Sequence, residues 1–563
     1  MATPDHESHH ENTPRFPDVG ITDRASLDTP PEGVAHNSNH MTNGQNEDVP
    51  GEWLTGNKLI AVSIAFGIAN IMVALDSSVL ATALPTISSE FKAVSDIGWY
   101  GSAYLSAQTS CQPVFGKIYT CFEPKATYLT SLLVFCIGSI LCDAAPVSSC
   151  LILGQAVTGL AAAGIFIAIF GRVVPLRSRP QGMAIMVSIS SIVSMIGSTV
   201  GGVLTDSVLT WSLVVFHILD RKPHPDNQLP ISTKLLKLDP LSFILLLSSM
   251  ACLFVAVEFG GASVSLSNSK AWGSVLGFGL LGISFIILKD IKKKSENLDN
   301  LPYLPRLRAV INLQMMRQRT VAICYMFSFA YGLAITTHTW LLPTYFQGVK
   351  YFSASVSGFL GLSLSIPMII FSLVTGFSTT CCGHYVPFMW AGTLIYVAGS
   401  VFLYLLTTDS GMGVYIGYPV IAGIGCGMAI QVTFIAVQVV VSPSEMAHAC
   451  SMEVLFRQLG SAIAISVAEN IFLSSTQGRL QQLLPQSNDS ILKSGIREFA
   501  MLSQILPPAE QQEAKSLVSY GVKQAFILPL TASCVAAVAS WGMEQIKIED
   551  ENEKGMAQNI ELT

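Results

Sequence analysis

Residues 413–440 read GVYIGYPVIAGIGCGMAIQVTFIAVQVV, without an Asp, Glu, Lys or Arg among them. A helix of roughly 20 apolar residues crosses the ~30 Å hydrocarbon core of a bilayer, so this run can span a membrane on its own. It also holds Gly423, Gly425 and Gly427. After a strand and before a helix, such a GxGxG would suggest a dinucleotide loop. Here no strand pattern precedes it and no βαβ pattern follows, so the glycines read as points of close helix packing.

The rest of the chain repeats the pattern. Further apolar runs lie near 59–84, 98–116, 127–145, 150–171, 182–204, 240–259, 271–289, 320–342, 354–376, 386–407, 452–473 and 522–542, which with the first makes thirteen. Composition agrees: 50% of the 563 residues are hydrophobic and only 12% are charged. Soluble domains carry about 25% charged residues. The chain is therefore expected to be an all-α integral membrane protein embedded in the lipid bilayer. A net charge of -6 without a large basic block excludes nucleic acid as a partner. Most of the twelve cysteines, such as Cys136, Cys252 and Cys426, sit in apolar runs and read as small hydrophobes. No nucleophile–base pair, HExxH, Walker A or zinc constellation is present, so neither an enzyme, an ATP-driven pump, a cofactor nor a metal is expected.

One short stretch decides the topology. Residues 208–219 read VLTWSLVVFHIL, and at 1.5 Å per residue twelve helical residues reach only about 18 Å. If this sixth slot crosses and the N-terminus is inside, seventeen Lys and Arg fall in inner loops, from Lys117 to Arg319. The short outer loops then hold only Lys92, Lys270 and Lys350. The positive-inside rule thus asks for fourteen crossings, while the length of 208–219 argues against its crossing.

Several polar residues stand out inside the apolar runs. Asp76 sits inside the first run, where a carboxylate costs on the order of 3 kcal/mol by insertion scales. It is a functional candidate, the plainer alternative being a helix-end Asp bonded to Ser77 and Ser78. Gly116, Lys117 and Lys125 close the second span; Gly116 is expected to permit a tight turn and the cations to anchor it, as an interfacial loop or a conformational switch. Gly197, Gly201 and Gly202 offer a small-residue seam in the fifth span. Gln112, Gln155, Glu258, Gln347, Gln431, Gln438, Glu453 and Arg457 need buried partners. Of these, Gln112, Glu258, Gln347 and Gln431 are taken as candidates for a substrate cavity. Trp340, Tyr345 and Phe346 read as an interfacial belt. Asn488 begins Asn-Asp-Ser, a glycosylation acceptor in a loop expected outside.

These motifs resemble the major facilitator superfamily, specifically its fourteen-span drug:proton antiporter branch as found in fungi. The residues that carry the resemblance are LDSSVLATALP at 75–85, the Trp99–Lys125 segment with Gly-Lys-Ile-Tyr at 116–119, Gly197–Asp206, LPTYFQ at 342–347 and FRQLG at 456–460. The resemblance implies two six-helix bundles plus two extra spans, and export of a small organic compound such as a secondary metabolite, toxin or drug. It implies alternating access driven by protons entering the cell. A proton moving down 100 mV yields about 2.3 kcal/mol and a pH unit roughly 1.4 kcal/mol, enough for a gradient of several hundredfold.

On that basis residues 1–57 are expected to be a disordered cytoplasmic tail, and 58–219 an N-terminal bundle ending in the short sixth span at 208–219. Residues 220–319 supply the two extra spans. Residues 320–543 form the C-terminal bundle with a long external loop at 474–521, and 544–563 a cytoplasmic tail. Where the branch has a span-4 arginine this chain has Gln155, so Asp76 and Gln155 are the candidate proton-coupling pair, and a neutral amide cannot bias a carboxylate as a cation would. Ser198 replaces an expected proline, and loop 378–384 lacks Lys and Arg. About fifteen residues look absent around Trp211, for which a lost or misassigned exon is the favoured explanation and a natural short variant the alternative. A siderophore or amino-acid transporter, or a non-transporting sensor or degenerate paralogue, is the competing reading. The protein is expected to act as a monomer in the plasma membrane, with the vacuolar membrane the other location.

Overall fold

The computed structural model describes residues 64, 66–76, 91, 97–167, 176–194, 240–260, 269–296, 316–442, 445–483 and 508–548. All lie in one compact unit, Trp53–Thr563. The slot at 208–219, the seam glycines Gly197, Gly201 and Gly202, and Asn488 fall outside the described residues.

The helices are α1 (Phe66–Asp76), α2 (Ile97–Cys121), α3 (Pro124–Asp143) and α4 (Ser148–Ile167). A 3-10 turn, Leu176–Ser178, leads into α5 at 179–194. Then come α6 (Pro240–Gly260), α7 (Ser269–Glu296), α8 (Arg319–Gly348) and α9 (Ala354–Cys382). The chain continues through α10 (Val386–Tyr404), α11 (Met412–Ala429), α12 (Val432–Val440), α13 (Met446–Leu483), α14 (Pro508–Ala525) and α15 (Ile527–Trp541). Eight helical runs among the described residues are long and apolar enough to cross a membrane. In hydrocarbon every backbone polar group must be satisfied within the protein, and helices do this internally.

Most expected spans shift at their ends, and three changes go further. Residues 413–440 break at Ile430–Gln431 into α11 and α12, where the Gln431 side chain turns to donate to Ser372 Oγ at 2.7 Å. The last span starts earlier, at Pro508, and breaks at Phe526. The expected loop 474–521 is helical at both ends, because α13 runs on to Leu483 and α14 begins at Pro508. Gln, Leu and Arg at 477–483 are good helix formers, so the helix continues once its apolar span is complete.

One buried cluster gathers α8 to α15, with Tyr331, Tyr345, Phe346, Tyr396, Phe472 and Phe526 in it. A second joins α1 to α4 around Tyr104, Tyr119, Tyr128, Leu132 and Phe135. A third is Leu246 of α6 against Phe285 of α7. Tyr345 and Phe346 are therefore core side chains and not a belt: the Tyr345 hydroxyl donates to the Thr407 carbonyl at 2.7 Å. Outward faces carry exposed apolar side chains, such as Leu133, Ile140, Leu280, Phe359 and Val538, as a lipid-facing surface would.

Since lipid is as apolar as leucine, these helices must be held by close packing. Gly423, Gly425 and Gly427 supply it. A Cβ at Gly425 would lie 2.7 Å from the Gly392 carbonyl oxygen, and one at Gly427 2.9 Å from the Ser372 nitrogen. A Cβ at Gly423 would strike the Leu364 carbonyl. The GxGxG is a packing motif of α11 against α9 and α10.

Candidate transport site and its closed end

Alpha-2 and α13 cross as antiparallel neighbours. Near the end of α2, a Cβ on Gly116 would lie 2.8 Å from Ser451 Cβ and 3.0 Å from His448 Cα. Two turns back, Thr109 Oγ1 donates to Gln458 Oε1 at 2.8 Å. Gly116 is thus inside a helix, not in the turn expected of it; the turn lies beyond Cys121. What the glycine supplies is approach, since the missing Cβ lets α13 sit against the α2 backbone. Lys117 beside it is buried and has interaction partners. Lys125 lies in the first turn of α3.

Other contacts join the same end of the molecule. The Arg179 guanidinium contacts Met446 Sδ at 3.2 Å. Arg177 Nε donates to the Thr380 carbonyl at 3.4 Å, and the Gln181 backbone N–H donates to Thr380 Oγ1 at 3.3 Å. A Cβ at Gly376 would lie 2.8 Å from the Pro180 carbonyl oxygen. The α9–α10 turn is held from below, where the Ile548 N–H donates to the Gly383 carbonyl at 2.8 Å. This is the end that carries Lys117, Arg177 and Arg179, and among the described residues α2 and the segment at 177–184 close on α13 and α9 there by direct contact.

Above it lie the buried polar groups of α1 to α4. Asp76 Oδ2 has no hydrogen-bond partner, and the carboxylate is within electrostatic reach of Asp143 and Tyr104. Gln155 is buried and its Nε2 faces Cys142 Sγ at 3.5 Å, while its Oε1 is unpartnered. Asp76 also lies within electrostatic reach of Cys142, so the two residues that the sequence singled out share one neighbourhood. Tyr104 joins them with a buried, unpartnered hydroxyl. Sequence reasoning missed it because a tyrosine in an apolar run looks like core.

The Major Facilitator Superfamily profile matches residues 66–465. The chain belongs to the Major Facilitator Superfamily. It is a multi-pass membrane transporter and not an enzyme. It is 32% identical over 551 residues to the MFS-type transporter ltbE of Aspergillus luteorubrus, covering 94% of this chain and 97% of that one. It is 32% identical over 486 residues to the aspyridones efflux protein of Neocamarosporium betae, covering 83% of each. It is 29% identical over 563 residues to the efflux pump hmp6 of Hypomyces subiculosus, covering 96% of this chain and 97% of that one. Among solved structures, a double-tryptophan variant of XylE shares the fold with a TM-score of 0.54 at 10% identity, covering 88% of this chain and 98% of that chain.

In this transporter the other cavity candidates separate. Gln347 Nε2 donates to Ser357 Oγ at 3.3 Å and so ties α8 to α9. Gln431 marks the α11–α12 break with its Oε1 unpartnered. Glu258 lies in the last turn of α6. Gln112 is fully buried on α2, and neither its Nε2 nor its Oε1 has a partner. Within α8–α13, Glu453 Oε1 accepts from Ser328 Oγ at 2.8 Å and from Thr433 Oγ1 at 3.1 Å. His338 was not foreseen, although a lone histidine in the apolar run of α8 is itself a signal. Its Nδ1 lies 3.0 Å from the Tyr396 hydroxyl.

Proposed function

We propose that this transporter exports a small organic compound, of the secondary-metabolite, toxin or drug class, by proton antiport and alternating access. The observation that carries the reading is the seal at the basic end, made by Gly116 against Ser451 and His448 and by Arg177 and Gln181 against Thr380. A chain closed at one end by contacts of this size can reopen there without unfolding either half. Relatives named as efflux pumps support export as the direction.

The proposed architecture is an N-terminal bundle over 58–219, two extra spans in 220–319 and a C-terminal bundle over 320–543. The separate buried clusters support this division. The basic end is proposed to face the cytoplasm. Helix α5 starts from that end, where a Cβ at Gly376 would meet Ala184. Helix α8 starts from it too, since Tyr325 donates to the Ala449 carbonyl at 3.1 Å. Only α6 and α7 are described between them, an even number, so one more crossing is needed. The slot at 208–219 is the proposed one. Asp76 with Gln155 is the proposed proton-coupling pair, Gly116, Lys117 and Lys125 the switch region, and the plasma membrane the location.

The test is efflux of a panel of hydrophobic dyes and drugs from cells expressing the chain, with and without a protonophore. Proton-dependent efflux that collapses in Asp76→Asn is expected. Efflux that persists at full rate in Asp76→Asn would place coupling elsewhere. A chain folded at the membrane without any flux would favour a sensor, a reading to which the neutral Gln155 lends weight.

A further inference from the structure

Two contacts fix the register of the α2–α13 crossing: Gly116 meets Ser451, and Thr109 meets Gln458. Residues 109, 112 and 116 fall on one helix face, because positions three, four and seven apart align. Gln112 is level with Leu455 of the antiparallel partner in that register, at the edge of the face where α2 turns from α13 toward α4, which Phe115 and Tyr119 meet at Gly164. Leu455 is buried and apolar and offers no hydrogen bond. Gln112 has no exposed surface, and both ends of its amide are without a protein partner.

A primary amide that loses water without gaining a partner costs free energy, whereas an apolar residue of like size in the same place does not. Against α4, Phe115 and Tyr119 meet Gly164 and Tyr104 meets Gly159, and the Gln112 amide takes no hydrogen bond there. The next residue, Pro113, lies within the helix and removes the backbone bond that would reach the Thr109 carbonyl. The inner third of α2 is thereby joined to the rest by a weakened turn, placed at the residue whose burial is unfavourable.

We propose that Gln112 biases the basic end toward opening: its amide is unsatisfied while α2 and α13 are closed, and is satisfied by water or by a polar group of the cargo once they part. The proposal rests on the alternating-access reading, in which this seam opens and closes in each cycle. Gln112 is a positioning residue in that cycle, acting on the seam's equilibrium. An export protein gains from such a bias, because its cargo enters from the end that the amide helps to open.

Hydrogen–deuterium exchange on the full chain in lipid nanodiscs tests it, read in peptides over residues 109–121 and 446–458. Gln112→Met keeps the volume and removes the amide, and should slow exchange there on the order of tenfold. Gln112→Asn keeps an amide and should stay near the wild type. Leu455→Asn gives the amide a partner across the seam and should slow exchange as Met does. Peptides over α10 and α11 report folding. If Gln112→Met raises exchange there, the Leu455→Asn result decides. Unchanged or faster seam exchange in a folded Gln112→Met or Leu455→Asn variant overturns the proposal. Exchange needs neither cargo nor protons, so a wild-type chain that moves nothing would refute the export reading and leave this result to stand by itself.

Discussion

Gly116→Ala is the sharpest perturbation available at the closed end. The added methyl would lie 2.8 Å from Ser451 Cβ and 3.0 Å from His448 Cα, against an optimal carbon–carbon separation of about 3.5–4.0 Å. Ser451 cannot rotate away without losing its bond to the Ala447 carbonyl at 2.6 Å, and His448 Cα is backbone. The helices must therefore separate by on the order of 1 Å. Overpacking by one methyl costs roughly 1–3 kcal/mol, and each 1.4 kcal/mol is about a factor of ten. The closed basic end should thus lose between about 5-fold and 150-fold in population relative to the open one. Release of cargo to the far side requires that end to close, so the efflux rate should fall by a similar factor wherever closing limits turnover. The assay is initial efflux rate with seam exchange alongside. Gly425→Ala is the control, because it inserts the same methyl inside the α10–α11 pair. It should lower thermal stability without opening the seam. Wild-type efflux and wild-type seam exchange in Gly116→Ala would refute the idea that this crossing is a moving contact.

Two further predictions concern buried and surface polar groups. Glu453→Leu removes the acceptor shared by the Ser328 and Thr433 hydroxyls, which both donate to Glu453 Oε1 and keep only their mutual contact at 3.3 Å, and should cost about 1–3 kcal/mol in thermal or chemical denaturation; Glu453→Gln keeps an acceptor there and should cost less, and equal losses would refute the pairing. At the opposite end, Lys350 Nζ donates to the Thr408 and Ser410 carbonyls at 2.6 and 2.7 Å. Burial, then the charge of Lys515, holds its ammonium below the ordinary lysine value of 10.5, against the opposing pull of Asp409. A base whose folded value is lowered binds fewer protons folded than unfolded, so its contribution to stability rises as pH climbs toward 10.5. Lys350→Met should flatten that rise in the melting temperature measured against pH, and an unchanged slope would sink the assignment.

The fold was legible because lipid imposes it. A run such as 413–440 announces a span by length and lack of charge, and its glycines proved to be packing points. The proposed site is legible only in part. Asp76 was visible because a carboxylate is costly in hydrocarbon, and Gln155 because it stands where the branch has an arginine. Gly116 was misread as a turn residue, since a glycine at a helix crossing and one in a loop look alike in sequence. Tyr345 and Phe346 were misread for a related reason: aromatic residues near a span's end suit a belt, but here the hydroxyl of Tyr345 found the Thr407 carbonyl inside the core. The pairing of Thr109 with Gln458 could not be read at all, because the two residues lie 349 positions apart in the chain.

On the proposed cycle, the closed seam accounts for a helix end that carries both a glycine and an amide without a protein partner. A transporter that alternates needs two states within a few kcal/mol of each other, since a larger gap would leave one of them unpopulated. In lipid there is no hydrophobic force between helices to adjust that gap. It must be set by packing and by polar groups, and on α2 the two are four residues apart. Gly116 lets α13 approach until backbone meets side chain, which favours closure. Gln112 pays out against it by losing its hydrogen bonds, and Pro113 between them loosens the segment that has to move. Thr109, one turn further from the basic end, is bonded to Gln458, so on the proposed cycle the seam is held at mid-depth and balanced at its end. This is the distribution expected of a hinge. The residues that hold lie near the middle of the helix, and those that trade against each other lie where the displacement is greatest.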